Sequence, residues 1–186
     1  VKPESNDPYD AEHVIQSFAD SFELIEQKDK IILRPREMRP EIDYSYIAGF
    51  LDGDGSLMFQ IKKRKDGKMK ARFMLTICFY QDSRHEKPLY WIRRTLGIGY
   101  ISKRKDRITE LRINGFKQVK EILKKLIPFV KFKKKQAKAM YEAANLLRRV
   151  KNSDLSERDL RRLVNYILII QKNNYATKRK KTKKDL

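Results

Sequence analysis

The sequence predicts an α+β fold in which helices cover one face of a four-stranded antiparallel sheet. Two observations lead to this fold class. Two pairs of segments alternate apolar and polar residues about a short turn, and the segments between and after them have helical periodicity. The predicted order is α-β-β-α-β-β-α, followed by two further helices.

The first half of this pattern opens with a short helix over residues 44–53. A strand over residues 56–63 and a second one in "MKARFMLTICFYQ" flank the turn "RKDGK". The Asp66-Gly67 pair in that turn suits the positive φ angles of a tight hairpin. The sequence therefore predicts a β-hairpin directly after the helix.

The second half repeats the arrangement. A helix begins at Pro88, a residue favoured in a first helical turn, and "GYISKRK" and "ITELRIN" form a hairpin around Asp106. Three amphipathic helices follow. The first ends near Pro128, and the last takes Ser156 as its N-cap.

The charge divides the chain into three predicted parts. Residues 1–43 hold six Lys and Arg against eleven Asp and Glu, a net of −5, whereas the whole chain carries +20 and the remainder therefore +25. Residues 10–27 read as an amphipathic helix, followed by an extended "KIILRP". We predict an acidic N-terminal extension over 1–43, a body over 44–175 and a basic tail over 176–186.

The excess of positive charge predicts a polyanionic partner, most often nucleic acid, although a basic surface that only maintains solubility has the same composition. The single Cys78 excludes an intrachain disulfide framework and fits a reducing compartment. No apolar run approaches the roughly 20 residues that a membrane helix needs, so we expect no membrane partner.

The alternation assigns two faces to the predicted sheet. One face is apolar and is expected to lie under the helices, whereas the other combines side chains that read base edges, and a two-stranded ribbon fits a major groove. An ordinary half-exposed sheet alternates in the same way. The residues predicted to bind DNA are Ser56, Met58, Gln60, Lys62, Arg64, Lys70, Arg72, Met74, Cys78, Ser102, Arg104, Glu110 and Arg112.

The end of the first helix carries two unusual features. Gly49 and Gly53 lie one helical turn apart, which allows a second helix to approach closely, either within this chain or in a second copy. Asp54 stands at the C-terminal end of the helix, where the macrodipole disfavours a carboxylate. A carboxylate beside exposed carbonyls suits Mg²⁺ or Ca²⁺, while a plain Asp-Gly turn is the alternative.

The segment "YIAGFLDGDGS", followed by a strand, a turn and a strand, resembles the LAGLIDADG homing endonucleases, and a single motif resembles their homodimeric branch. The resemblance extends over Tyr44 to Lys184 and includes "LTICFYQ", "LGIGYI" and "IPFVKFKKKQAK". It implies an αββαββα fold with a saddle-shaped sheet. It also implies a dimer interface formed by the motif helices, here with Tyr46, Gly49 and Gly53.

The resemblance also implies roles for single residues. Asp54 corresponds to the catalytic, metal-binding acid, the Gly53 carbonyl to a second metal contact, and Asp52 to a structural acid. Gln81 and Lys133 match residues that line the catalytic pocket. Phosphate contacts are expected from Lys178, Arg179 and Lys180.

The expected function is therefore site-specific, intron-encoded cleavage of double-stranded DNA by a Mg²⁺-dependent homodimer at a long, near-palindromic site, with Ca²⁺ or Mn²⁺ substituting in binding. The expected location is intracellular, with the genome that carries the host element, in a prokaryotic cytoplasm or an organelle matrix. An RNA maturase, a cleavage-inactive DNA-binding protein of the same fold and a basic ribosome-associated protein stay open as alternatives. RNA therefore stays open as a partner.

Overall fold

The computed structural model describes residues 22–27, 30–35, 40–65, 71–149 and 154–174. The chain forms two compact units, residues 1–40 and residues 41–186. The predicted turn at Asp66-Gly67, the predicted DNA contact Lys70 and the predicted phosphate contacts lie outside the described residues. None of the helices in the described part is long and apolar enough to span a membrane.

The described part of the first unit is a hairpin. Strand β1 (Phe22–Gln27) pairs antiparallel with strand β2 (Lys30–Pro35), and Leu24 lies opposite Leu33. The predicted helix over residues 10–27 is therefore wrong at its C-terminal end, while residues 10–21 lie outside the described part. The extended "KIILRP" was predicted correctly, and it supplies the backbone partners that stabilise "FELIEQ" as a strand.

The second unit confirms the predicted α+β fold. Helix α1 begins at Pro40, four residues before the predicted Tyr44. Proline suits a first helical turn, and the carboxylates of Glu41 and Asp43 stabilise the positive N-terminal end of the helix dipole. The elements are α1 (Pro40–Asp54), β3 (Gly55–Lys63), β4 (Ala71–Asp82), a 3₁₀ turn (Ser83–His85), α2 (Lys87–Leu96), β5 (Tyr100–Lys103), β6 (Ile108–Asn114), α3 (Phe116–Leu126), α4 (Lys134–Arg149) and α5 (Glu157–Asn173).

The sheet of the second unit has four antiparallel strands in the order β3-β4-β6-β5. Its two long central pairings place Leu57 opposite Ile77 and Phe79 opposite Leu111. The side chains of this face are buried beneath helix residues that include Ile47. One continuous core therefore lies between the helices and the apolar face of the sheet, as the alternation predicts.

Local signals account for the ends of several helices. Gly97 adopts a left-handed conformation (φ 70°), and its N–H donates to the carbonyl oxygens of Arg93 and Arg94, which ends α2. The Ser156 side chain accepts from the N–H of Asp159 and confirms the predicted cap of α5. Helix α3 ends at Leu126, two residues before Pro128.

Candidate nuclease site and nucleic-acid interface

Asp52, the first of the two acids in the motif, is buried and holds a distant loop. Its carboxylate accepts backbone hydrogen bonds from the N–H groups of Lys131 (2.6 Å), Phe132 (3.1 Å) and Lys133 (2.9 Å). These N–H groups belong to the loop before helix α4, so one carboxylate fixes that loop against the end of α1. Asp52 thus has the structural role that the resemblance implies.

The Lys133 ammonium closes the C-terminal end of α1. Its Nζ donates to the carbonyl oxygens of Leu51 (3.0 Å), Asp52 (2.5 Å) and Gly53 (3.3 Å), which have lost their helical partners. Burial lowers the pKa of Lys133, and the charges of Asp52 and Asp54 partly oppose that shift. A cation inside the chain therefore offsets the negative end of the helix and its acids.

Asp54, the second acid, is exposed at the last position of α1, and Gly55 begins β3 directly after it. A Cβ atom at Gly55 would lie 2.7 Å from the Leu51 carbonyl oxygen, so the change from helix to strand requires glycine there. The junction thus holds the Asp54 carboxylate at the surface, beside the carbonyl of the exposed Gly53.

The donor set at this junction fits a hard divalent cation that keeps other ligands. A carboxylate and a backbone carbonyl are oxygen donors of the kind that Mg²⁺ prefers, and Mg²⁺ usually retains waters and phosphate oxygens. Within the described ranges no group of three or more His, Cys, Asp or Glu side chains could form a complete metal site. The Gly53 carbonyl is shared with Lys133, so Asp54 is the main protein donor that the junction offers.

Gln81 lies at the same end of the sheet as this junction. Gly55 pairs with Phe79, so Gln81 is two residues past the first pairing of β3. Its Oε1 accepts from the N–H of Asp82 (2.9 Å). The Lys133 Nζ donates to the Gly53 carbonyl oxygen, next to Asp54. Asp54, Gln81 and Lys133 therefore belong to one end of the second unit.

The turn after Gln81 is fixed by an ion pair. Arg84 donates from Nε to one oxygen of Asp82 (3.0 Å) and from Nη2 to the other (3.0 Å). Hydrogen bonds from Arg84 lower the pKa of Asp82 to about 2. Arg84 is exposed and follows Gln81 closely in sequence, so the turn carries a positive charge near the site.

The alternation places the predicted residues of β3 and β4 on one face of the sheet. Ser56 pairs with Cys78, Gln60 with Met74, and Lys62 with Arg72, all on the face away from the helices. Residues of this face that are exposed or half-buried are Ser56, Met58, Gln60, Lys62, Arg72, Met74, Ser102 and Arg112. The predicted contacts Arg64 and Arg104 are exposed and lie directly after the ends of β3 and β5.

Two predicted members of that face, Cys78 and Glu110, are buried. The pairings also bring Tyr80, Tyr100 and Asn114 onto this face, and none of the three is among the predicted DNA contacts. The signal that could have identified them is the same two-residue alternation, continued to the ends of β4, β5 and β6.

Burial raises the pKa of the Cys78 thiol to about 11 and that of the Tyr80 hydroxyl to about 12. A hydrogen bond joins the two side chains, and the Cys78 thiol donates to Glu110 Oε2 (3.8 Å). Since both groups keep their protons in the folded chain, the cluster stays neutral apart from Glu110 and its partner Arg112.

Cys78 should be unreactive toward an aromatic disulfide reagent in the folded protein. A pKa of about 11 instead of 9.0 lowers the thiolate fraction near neutral pH by roughly 100-fold, and burial lowers access further. Absorbance of the released thiolate measures the rate, with urea-unfolded protein as the control. Equal rates in the folded and unfolded protein would contradict the buried position.

Helix α1 also has an exposed face that is small or apolar. A Cβ atom at Gly49 or Gly53 would meet nothing within 4 Å, so the glycines are not packed within the described part of this chain. Ile42 and Tyr46 are 58% and 60% exposed, and Phe132, beside the end of the helix, is 85% exposed. This face therefore presents apolar surface with room for the close approach of another molecule.

Residues 47–143 match the family model described as LAGLIDADG endonuclease, which covers more than half of the chain. The fold and the junction at Asp54 agree with that match, and the chain belongs to the LAGLIDADG endonuclease family. The resemblance of the motif is thereby confirmed.

Two curated proteins are similar to more than half of this chain. DNA endonuclease I-CvuI of Chlorella vulgaris is 28% identical over 120 residues, 64% of this chain and 74% of that protein. DNA endonuclease I-CreI of Chlamydomonas reinhardtii is 32% identical over 108 residues, 58% of this chain and 66% of that protein.

Solved structures share the fold. I-CvuI, crystallised with the I-CreI target in the presence of Mg, superposes with a TM-score of 0.64 at 26% identity, covering 76% of this chain and 87% of that one. The archaeal intron-encoded homing endonuclease I-Vdi141I, complexed with DNA, gives a TM-score of 0.66 at 25% identity, covering 76% and 90%.

Proposed function

We propose that this protein is a homing endonuclease that cuts both strands of a long, near-palindromic DNA site as a Mg²⁺-dependent homodimer. The observation that carries the proposal is the junction between α1 and β3. There an exposed Asp54 lies at the same end of the unit as Lys133 and Gln81, next to a polar sheet face. A protein that only binds nucleic acid gains nothing from a carboxylate placed toward phosphate.

Each residue of this end has a task that its position supports. Asp54 holds the divalent cation, together with the Gly53 carbonyl, and the bound Mg²⁺ supplies Lewis-acid charge neutralisation at the reacting phosphate. Lys133 donates to the carbonyl oxygens at the end of α1 and places positive charge close to Asp54, where the reacting phosphate would bind. Gln81, half-buried at the end of β4, orients groups near the phosphate by hydrogen bonding.

The polar face of the sheet supplies recognition. Its exposed and half-buried side chains include cations such as Lys62, Arg72 and Arg112, together with amide and hydroxyl groups. Arginine and glutamine are the side chains that most often pair with base edges in a major groove. The predicted phosphate contacts from Lys178 to Lys180 add affinity that falls with salt but little specificity.

The homodimer accounts for the exposed face of α1. One chain offers one Asp54, so cleavage of both strands requires two chains or two turnovers. The open positions at Gly49 and Gly53, flanked by Tyr46 and Phe132, suit two motif helices that cross closely. The two Asp54 side chains then lie near one axis, and the protein acts with the genome that carries its target.

Gly49→Leu should convert the dimer into monomers. Leucine favours the helix, and within the described residues nothing lies within 4 Å of its Cβ, so the subunit itself should fold. The added side chain instead separates the two helices. Sedimentation equilibrium should show an apparent dissociation constant raised by roughly 100-fold or more, about 2.7 kcal/mol.

Gly49→Ala is the matched control for the leucine variant, since a single methyl group permits a closer approach and should weaken the dimer far less. If the leucine variant is still a dimer at protein concentrations where wild type is a dimer, the interface lies elsewhere.

The test of the function is cleavage of a randomised duplex library with two-fold symmetric halves, in Mg²⁺. The proposal expects one discrete family of cut sites, with both strands cut. Sequence-selective binding without cuts would favour the cleavage-inactive protein. Binding of structured RNA in place of duplex DNA would favour the maturase.

A further inference from the structure

The polar face of the sheet contains a buried carboxylate among its cations. The Glu110 side chain is 6% exposed, in the middle of β6, between Tyr80 on one neighbouring strand and Ser102 on the other. A carboxylate there repels phosphate and is too deep to reach a base. On a face that the proposed function turns toward DNA, such a carboxylate calls for a task within the protein.

The partner of Glu110 is Arg112, two residues further along the same face. Arg112 donates from Nε to Glu110 Oε1 (2.7 Å) and from Nη2 to Oε2 (3.1 Å), and the Cys78 thiol donates to Oε2 (3.8 Å). Hydrogen bonding to Glu110 raises the pKa of Arg112. Both carboxylate oxygens are thus engaged, and the guanidinium is held in one plane.

The arginine itself is open to a ligand. Its side chain is 33% exposed, and Glu110 uses only Nε and one hydrogen of Nη2. A guanidinium has five N–H donors, so both hydrogens of Nη1 and one of Nη2 are left over. Within the described part of the chain the Nη1 and Nη2 hydrogens form a second two-donor edge, adjacent to the one that Glu110 holds and sharing Nη2 with it.

A two-donor edge fits a base with two adjacent acceptors. In the major groove guanine presents O6 and N7 in that arrangement, and arginine to guanine is the commonest specific contact. We propose that Glu110 is a positioning residue, which holds Arg112 so that its Nη1–Nη2 edge reads one guanine in each half-site. This inference rests on the proposed function and assigns Glu110 a role without direct contact to DNA.

A second Arg–carboxylate pair, in the turn between β5 and β6, provides a matched control. Arg104 donates from Nε to Asp106 Oδ1 (3.1 Å) and from Nη2 to Oδ2 (2.6 Å), in the same forked geometry. These side chains are 48% and 53% exposed, so solvent competes for their hydrogen bonds. Loss of the Asp106 charge should therefore change base preference little.

The experiment selects bound duplexes from a randomised library in Ca²⁺, where binding is scored without cleavage. Wild type, Glu110→Gln, Arg112→Lys and Asp106→Asn are compared, with thermal melting of each. Glutamine keeps the size of Glu110 but turns an NH₂ group toward the guanidinium. Lysine keeps the charge of Arg112 but not the fork.

Glu110→Gln should lower the preference for guanine by roughly 10-fold or more at one position per half-site. Arg112→Lys should lose the same preference, while other positions and Asp106→Asn stay as in wild type. Retained guanine preference in either variant, or a uniform loss of affinity across all sequences, overturns the proposal. A wild-type protein that selects no sequence overturns the proposed function as well, so the two failures are distinguishable.

Discussion

Asp54→Asn should abolish cleavage while duplex binding persists. Asparagine keeps the shape of the side chain but removes the negative charge that holds a divalent cation at the exposed end of α1. Loss of even an outer-shell partner of a metal costs roughly 10- to 100-fold, so loss of the main protein donor should exceed about 100-fold. Removal of two like charges near phosphate should leave the affinity unchanged or higher.

Single-turnover cleavage of the selected site measures the first effect, and a gel-shift titration measures the second. Glu41→Gln is the control, since it removes the same charge from an exposed acid at the other end of the same helix. Wild-type cleavage by Asp54→Asn would refute the assignment of this acid. Equal loss in Glu41→Gln would indicate a general effect of charge.

Asp52→Asn, two residues earlier, should damage stability instead. The buried carboxylate accepts from three backbone N–H groups, and an amide would turn an NH₂ group toward at least one of these donors. A buried donor without a partner costs about 1–3 kcal/mol, so we expect a loss of about 3 kcal/mol. The thermal midpoint should fall by roughly 6–12 °C.

Urea denaturation of Asp52→Asn and Asp54→Asn side by side measures this difference. The substitution is chemically the same, and only burial and hydrogen bonding differ between the two positions. Asp54→Asn should change the free energy of unfolding by no more than about 0.5 kcal/mol. Equal losses in both variants would contradict the separate roles of the two acids.

Local patterns predicted the helices and strands of the second unit because each of them repeats along consecutive residues. The two-residue alternation assigned Ser56, Gln60 and Arg72 to one face, and the pairing of β3 with β4 confirms it. Periodicity gave a wrong prediction for "FELIEQ", which was expected to be helical. A short apolar run fits either a helix or a strand, and here the pairing with β2 makes it a strand.

The hydrogen bonds of Asp52 and Lys133 clasp the end of α1 to the loop before α4. This clasp could not be predicted from local patterns. Asp52 bonds to a segment 79–81 residues away, and nothing near either end indicates the partner. The burial of Glu110 was missed for a related reason. Strand alternation assigns a face, whereas depth depends on which neighbours on other strands cover the side chain.

The clasp also sets an order of events during synthesis. The loop around Lys133 is translated after all four strands of the sheet, so the end of α1 stays open in a growing chain until that loop has been made. Contacts at such separations form late, since long loops must first be ordered. In a protein that acts as proposed, an unfinished chain therefore lacks a complete cutting end.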